Sequence, residues 1–360
     1  MLYFSKLDSL RFLAFFLVFW SHAFVPSFGE WLETPVFKFF DPFFDTGKDG
    51  VHIFFVISGF LITYLLLVEE QMKGKINIGN FYLRRVLRIW PLYYLIMILG
   101  LFVLPRVLSS FDFCGSYWMN LTFLNNFNTT ESGECFSPNV LIAWSVAIEE
   151  QFYLFWPLLF SLLSRNSKWF VGFCLTLYAA SSLFTYLDPD PYFHTLGNIN
   201  YLMIGCLGAY QYHKHKEKFD QSFLKSGKIL ALMILFLMVT LVAGANTKLF
   251  YRINILILPF LFLYFVLYTI VNNDANYRSI FATWGKYTYG MYFYHPILIV
   301  LVKIVFDKLG WDYQHIGYYH VIVGLISFGL TLGVSIFSYQ YFESYFLRLK
   351  SKLSVVKTRM

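Results

Sequence analysis

Long apolar runs, broken at short intervals by charged or turn-forming residues, occupy most of this chain. The runs are too long for buried strands and approach the ~20 residues a helix needs to cross a ~30 Å hydrocarbon layer. Ten spans follow from the pattern, near residues 8–27, 50–68, 89–104, 140–163, 169–187, 198–213, 228–245, 253–272, 287–306 and 318–341. In lipid every backbone N–H and C=O needs an internal partner, so the spans are read as helices. The expected fold is an all-α integral membrane protein with about ten transmembrane helices.

Composition narrows the reading further. Only 14% of residues are charged, against ~25% in soluble domains. A bundle in lipid can carry 43 Phe and 27 Tyr in 360 residues, whereas solvated loops cannot hide them. The net charge of +7 could suggest nucleic acid, but its distribution points elsewhere. Lys and Arg gather at the N-terminus, at Arg84 and Arg85, in the 213–228 loop and after residue 341. The alternate loops are acidic, with Glu30, Glu33, Asp41, Asp45 and Asp49, then Asp112, Glu131 and Glu134, then Asp188 and Asp190. Positive residues stay on the cytoplasmic side, so both termini are expected there and no nucleic-acid partner is. Residues 1–345 read as one transmembrane domain and 346–360 as a basic cytoplasmic tail. No small-residue cleavage site follows the first apolar run, so no signal peptide is expected. Cys114 and Cys135 share the long outer loop 105–139 and could close it by a disulfide. Cys174 and Cys206 fall in spans and read as small core hydrophobes. No Cys or His spacing resembles a metal site.

The polar residues inside the spans carry the candidate chemistry, because ionisable groups there are costly and face a bundle interior or each other. Arg11 and His22 are eleven residues apart, three turns plus about 20°, and so share one face roughly 16 Å apart along the axis. A permanent cation then lies near one end of a helix with a proton-exchanging base deeper along the same stripe. Singly, Arg11 could snorkel to headgroups and His22 could be a satisfied interior histidine. In the second span His52 sits at the outer end, and Ser58-Gly59 near the middle reads as a notch for close helix packing. Arg84, Arg85 and Arg88 cluster on one helical surface just before the third span. They could clamp phosphates through forked hydrogen bonds or simply meet lipid headgroups. Two adjacent carboxylates, Glu149 and Glu150, lie about ten residues into the fourth span. Ser145, Glu149 and Tyr153 fall on one stripe, with Glu150 turned about 100° away. Glu149 is the expected interior acid and Glu150 the second choice. His295 is mid-membrane, beside a Pro296 that leaves neighbouring carbonyls unpaired, and is as readily structural as catalytic.

Five stretches in this order resemble the membrane-bound acyltransferase family 3, the ten-helix acyl-CoA-dependent O-acyltransferases. They are Leu7 to Arg11 with His22 (Arg-x10-His), Phe54 to Phe60, Arg85 to Arg88 (Arg-x-x-Arg), Trp144 to Tyr153, and Tyr289 to Pro296. The family often has an acid where this chain has His52. The resemblance implies that His22 takes the proton of an attacking hydroxyl, with Glu149 orienting its ring and Arg11, Glu150 and His295 as further catalytic candidates. It implies that Arg11, Arg84, Arg85 and Arg88, with Ser58, hold acetyl-CoA or another acyl-CoA from the cytoplasm. The acceptor would be a glycan or glycolipid hydroxyl at the outer face, in a bacterial inner membrane and among its lipids. No hydrolase-like domain accompanies the spans, so the membrane unit is expected to deliver the acyl group itself. The competing reading is a proton-coupled secondary transporter of a small polar solute, since buried Arg, His and Glu also build proton relays. Inverted repeats would favour it, and none is visible in the sequence.

Overall fold

The computed structural model describes residues 3–24, 46–113, 115–128, 138–188, 190–274, 276–311 and 319–354. Among these residues the regular structure is entirely helical. The long helices are α1 (Ser5–Ala23), α2 (Gly47–Lys73), α3 (Ile78–Ile98), α4 (Trp144–Leu163), α5 (Ser167–Leu187) and α6 (Thr195–Lys214). They continue with α7 (Gly227–Asn246), α8 (Lys248–Val271), α9 (Thr288–Lys308), α10 (Tyr319–Ser338) and the nine-residue α11 (Ser344–Lys352). Each of the ten expected spans falls on one of α1–α10. Seven stretches are long and apolar enough to cross a membrane: Gly47–Lys73, Ile78–Val107, Trp144–Leu163, Ser167–Leu187, Leu249–Val271, Ile280–Lys308 and Tyr319–Lys352. Lys6, Asp8 and Arg11 dilute α1, and Asn198, Asn200, Gly197, Gly205 and Gly208 lower the hydropathy of α6.

Two boundaries differ from the hydropathy pattern. The third span begins at Ile78 rather than near 89, because the Asn77 side chain caps the helix by accepting from Asn80 N. The three arginines therefore lie inside α3, not before it. The fourth begins at Trp144, after a turn in which the Ile142 carbonyl accepts from the Tyr292 hydroxyl at 3.0 Å. Glu149 is thus only the sixth residue of its helix.

Close backbone approach organises the centre of the bundle. A Cβ on Gly59 would lie 2.1 Å from the Leu202 carbonyl oxygen, and one on Gly205 2.3 Å from that of Val56. These two glycines let α2 and α6 press backbone to backbone, as small residues do in membrane bundles. Gly50 does the same for α2 against α1, where its Cβ would meet Ala14 O at 2.4 Å. Cys174 and Cys206 are buried free thiols in this packing. Cys114 and Cys135, with the acidic positions 30–45, lie outside the described residues.

Candidate active site

The first half of the site is a cavity between α1, α2, α3, α4, α9 and α11. Its wall carries Arg11, Ser58, Arg84, Arg85, Arg88 and Glu149, so residues from four separate sequence stretches converge there. The helical stripes explain the convergence. Residues three or four apart face one way, which aims Arg85 and Arg88 from α3, and Ser145, Glu149 and Tyr153 from α4, at the same space.

Within that wall the cations fall into two kinds. Arg84 donates from Nη2 to Glu69 Oε2 at 2.7 Å and from Nη1 to the Leu353 carbonyl at 3.1 Å. Glu69 Oε1 in turn accepts from Asn77 N at 3.0 Å, so this pair is internally satisfied. Arg11 donates from Nη1 to Asp8 Oδ1 at 2.8 Å, one turn back on α1. Arg85 and Arg88 form no ion pair among the described residues. Arg85 is 9% exposed, its guanidinium lies 5.8 Å from both the Phe81 and Tyr153 ring centres, and its Nε has no hydrogen-bond partner. Arg88 keeps an exposed surface, and that surface belongs to the cavity wall. A buried donor left without an acceptor costs about 1–3 kcal/mol, so the orphaned Nε and the open Arg88 mark a place suited to an oxyanion.

Glu149 faces the same space and is held on both sides. Ser58 Oγ donates to its Oε1 at 2.5 Å, and Tyr153 Oη donates to its Oε2 at 3.1 Å. Ser58 therefore serves the cavity, and Gly59 alone forms the packing notch. Glu150 turns away as the stripe requires. Its Oε2 accepts from Trp90 Nε1 at 2.9 Å, its Oε1 has no partner, and it is absent from the cavity wall.

The second half of the site is a histidine pair. His22 Nδ1 and His295 Nε2 are 2.9 Å apart, with rings nearly parallel at 10°. His295 is 0% exposed, ringed by Phe15, Phe19 and Tyr292, while His22 keeps exposed surface. The other nitrogen of His295, Nδ1, is 3.1 Å from the Met291 carbonyl. A carbonyl can only accept, so in the neutral pair His295 Nδ1 carries the proton and its Nε2 is an acceptor. His22 Nδ1 must then donate, which leaves His22 Nε2 as a bare lone pair. The network thus assigns His22 the tautomer of a general base, oriented by His295; the oxygens of Glu149 are engaged by Ser58 and Tyr153 instead.

Tyr292 stands between the cavity and His295. It lines the cavity, and its ring centre is 5.9 Å from that of His295. Its hydroxyl lies 2.8 Å from Ser145 Oγ, which latches α9 to the start of α4. Neither His22 nor His295 belongs to the cavity wall itself. His52 lies outside it too, stacked on Tyr201 at 4.0 Å.

Several wall residues lie outside the motif stretches: Glu69, Lys286, Glu343 and Lys350. Asp8, inside the first motif, had a readable signal in its i, i+3 spacing to Arg11; the pairing of Glu69 with Arg84 joins two helices and had none. Lys350 lies in the segment that reads as a tail, which here forms α11 against α3. No group of three or more His, Cys, Asp or Glu suited to a metal ion occurs among the described residues.

Comparison with known proteins identifies the family. A Staphylococcus aureus (strain COL) protein named "Putative O-acetyltransferase" is 28% identical over 333 residues, covering 82% of this chain and 52% of its own. The peptidoglycan O-acetyltransferase OatA of Listeria monocytogenes is 26% identical over 297 residues, 72% of this chain and 46% of that protein. An uncharacterized protein of Haemophilus influenzae is 30% identical over 246 residues, 62% of this chain and 99% of its own length. The chain thus spans about half the length of the O-acetyltransferases it matches. No solved structure matches it. Residues 4–340 match the Acyltransferase domain of Acyl_transf_3, and the chain therefore belongs to that acyltransferase family.

Proposed function

We propose that the protein is an integral membrane O-acetyltransferase, moving an acetyl group from cytoplasmic acetyl-CoA to a carbohydrate or glycolipid hydroxyl at the outer face. The observation that carries the reading is the cation-walled cavity whose Tyr292 packs on His295, the partner of a base-configured His22. Ten spans with both termini in the cytoplasm of a bacterial plasma membrane would set Arg84 and Lys350 on the donor's side. Arg85 and Arg88 hold donor phosphates, for which forked guanidinium groups are suited. The pantetheine arm extends past Ser58 and Glu149 towards Tyr292.

The chemistry follows from the tautomers. His22 Nε2 takes the proton of the acceptor hydroxyl as its oxygen bonds to the thioester carbon. The tetrahedral intermediate collapses, the C–S bond breaks, and the sulfur leaves with the proton returned from His22. His295 keeps Nδ1 of His22 engaged throughout, so the imidazolium that forms shares its second N–H with a fixed acceptor. This is the orienting role a carboxylate has in hydrolytic triads. The peptidoglycan named for the Listeria relative makes a cell-wall glycan the first acceptor to try.

The test is direct. Purified protein in liposomes receives acetyl-CoA labelled in the acetyl group together with candidate glycans. Label on the glycan, lost in His22→Ala, is the expected result. Proton-coupled solute uptake with no transfer to any acceptor would overturn the reading in favour of a carrier.

A further inference from the structure

The cavity contains a cation that no motif accounts for. Lys350, on α11, is 9% exposed and lines the wall together with Leu347 and Ser354. The charges that bear on it most are those of Arg88, Arg85, Arg11 and Arg84, all of the same sign, while Glu149 and Glu343 line the same wall. No carboxylate pairs with it among the described residues. Lys350, Arg85 and Arg88 form no ion pair among the described residues. With six Lys and Arg against four Asp and Glu in the wall, the excess of cations is unfavourable unless an anion joins them. An anion of several charges answers all three at once.

The position of Lys350 is enforced. Arg84 reaches across to the Leu353 carbonyl while Glu69 neutralises it, which ties the end of α11 to α3. The π-turn Tyr339–Glu343 joins α10 to α11 without a break, so α11 folds against α3 instead of leaving as a free tail. Arg84 is thereby occupied as a structural strut and Lys350 takes the place in the wall.

We propose that Lys350 is a donor-binding residue, taking a phosphate oxygen of the nucleotide end of the acyl-CoA with Arg85 and Arg88, and that Arg84 is a positioning residue which holds α11 for it. This rests on the acyl-CoA reading above.

The experiment uses the whole chain purified in detergent. Binding is measured for coenzyme A, for adenosine 3′,5′-bisphosphate and for pantetheine. Lys350→Met weakens the first two by about tenfold or more, as expected for loss of one charge-assisted contact, and leaves pantetheine unchanged. Lys350→Arg restores nucleotide binding to within about threefold, and Lys352→Met, an exposed neighbour, changes nothing. A second measurement needs no variant. In the wild-type protein, adenosine 3′,5′-bisphosphate shields Lys350 from amine acetylation by an N-hydroxysuccinimide ester, read by mass spectrometry, while Lys352 stays reactive. Equal labelling of Lys350 with and without nucleotide, or an unchanged affinity in Lys350→Met, overturns the proposal. So does shielding by phosphatidylglycerol to which nucleotide adds nothing, which would assign the site to lipid phosphate. If the wild type binds neither coenzyme A nor the bisphosphate, the acyl-CoA reading itself fails; if Arg88→Ala loses them and Lys350→Met does not, only Lys350 is excluded.

Discussion

His22 Nδ1 stands 2.9 Å from His295 Nε2, although the two residues are 273 positions apart in the chain. Because His295 Nδ1 is committed to the Met291 carbonyl, the proton between the rings belongs to His22. A histidine fixed in this way keeps its lone pair on Nε2, where a hydroxyl can be met.

His22→Ala is expected to reduce acetyl transfer by ~10²–10⁴-fold, the range removed with a general base, while acetyl-CoA binding is kept. At His295 the two substitutions separate relay from packing. Gln can accept from His22 Nδ1 and donate to the Met291 carbonyl, so His295→Gln retains more turnover than His295→Ala. Steady-state kinetics with labelled acetyl-CoA decide the matter. Equal kcat in the two His295 variants would remove the orienting role.

Arg84 and Arg88 lie four residues apart on α3 and should fail differently. Arg84→Ala strands Glu69, which is 3% exposed, and breaking a buried pair from one side costs about 3–5 kcal/mol. Its signature is a large drop in the thermal midpoint in detergent. Arg88 has no ion pair to lose, so Arg88→Ala keeps the midpoint and raises the KM for acetyl-CoA about tenfold or more. Matching midpoints with matching KM values would erase the distinction between strut and ligand.

Helical periodicity made part of this site legible. Arg11 on α1, Arg85 and Arg88 on α3, and Glu149 on α4 point into one cavity because residues at helical spacing share a face, a property of the local chain. The partnership of His22 with His295 was not legible, since no local pattern states which helices adjoin. Lys350 was hidden for another reason. Arg348, Lys350 and Lys352 fall past the apolar run and read as part of the basic tail 346–360, while the π-turn at Tyr339–Glu343 carries the helix on and turns Lys350 inward. Hydropathy also misplaced the start of α3, because three arginines depress the average where Asn77 has already capped the helix.

Packing of α2 on α6 leaves no space for one added methyl group. Gly59→Ala would drive its Cβ to 2.1 Å from the Leu202 carbonyl oxygen, and backbone cannot yield as a side-chain tip can. Overpacking of this kind costs about 1–3 kcal/mol or more, seen as a lower thermal midpoint and poorer recovery from the membrane. Gly172→Ala is the control. It meets nothing within 4 Å and replaces a helix-interior glycine with a better helix former, so its midpoint is unchanged or raised. A Gly59→Ala protein as stable as the wild type would mean the two helices do not touch at this point.

Glu149 and Glu150 are adjacent in sequence and opposite in surroundings, which makes their amide variants a sharp comparison. Glu149→Gln removes the negative charge facing Arg85 and Arg88 and gives one of the Ser58 and Tyr153 hydroxyls an amide N–H where it had an acceptor. The loss of a charge-assisted contact is worth ten- to a hundredfold, from about 1.5–3 kcal/mol, and is expected in kcat/KM for acetyl-CoA. Glu150→Gln keeps an oxygen for Trp90 Nε1 and places its NH2 where Oε1 has no partner to offend. Its kcat/KM should stay within about threefold of wild type, since the side chain is outside the cavity. If Glu150→Gln is the more damaged enzyme, the acid that matters is the one turned away from the cavity, and the assignment of Glu149 to the donor passage is wrong.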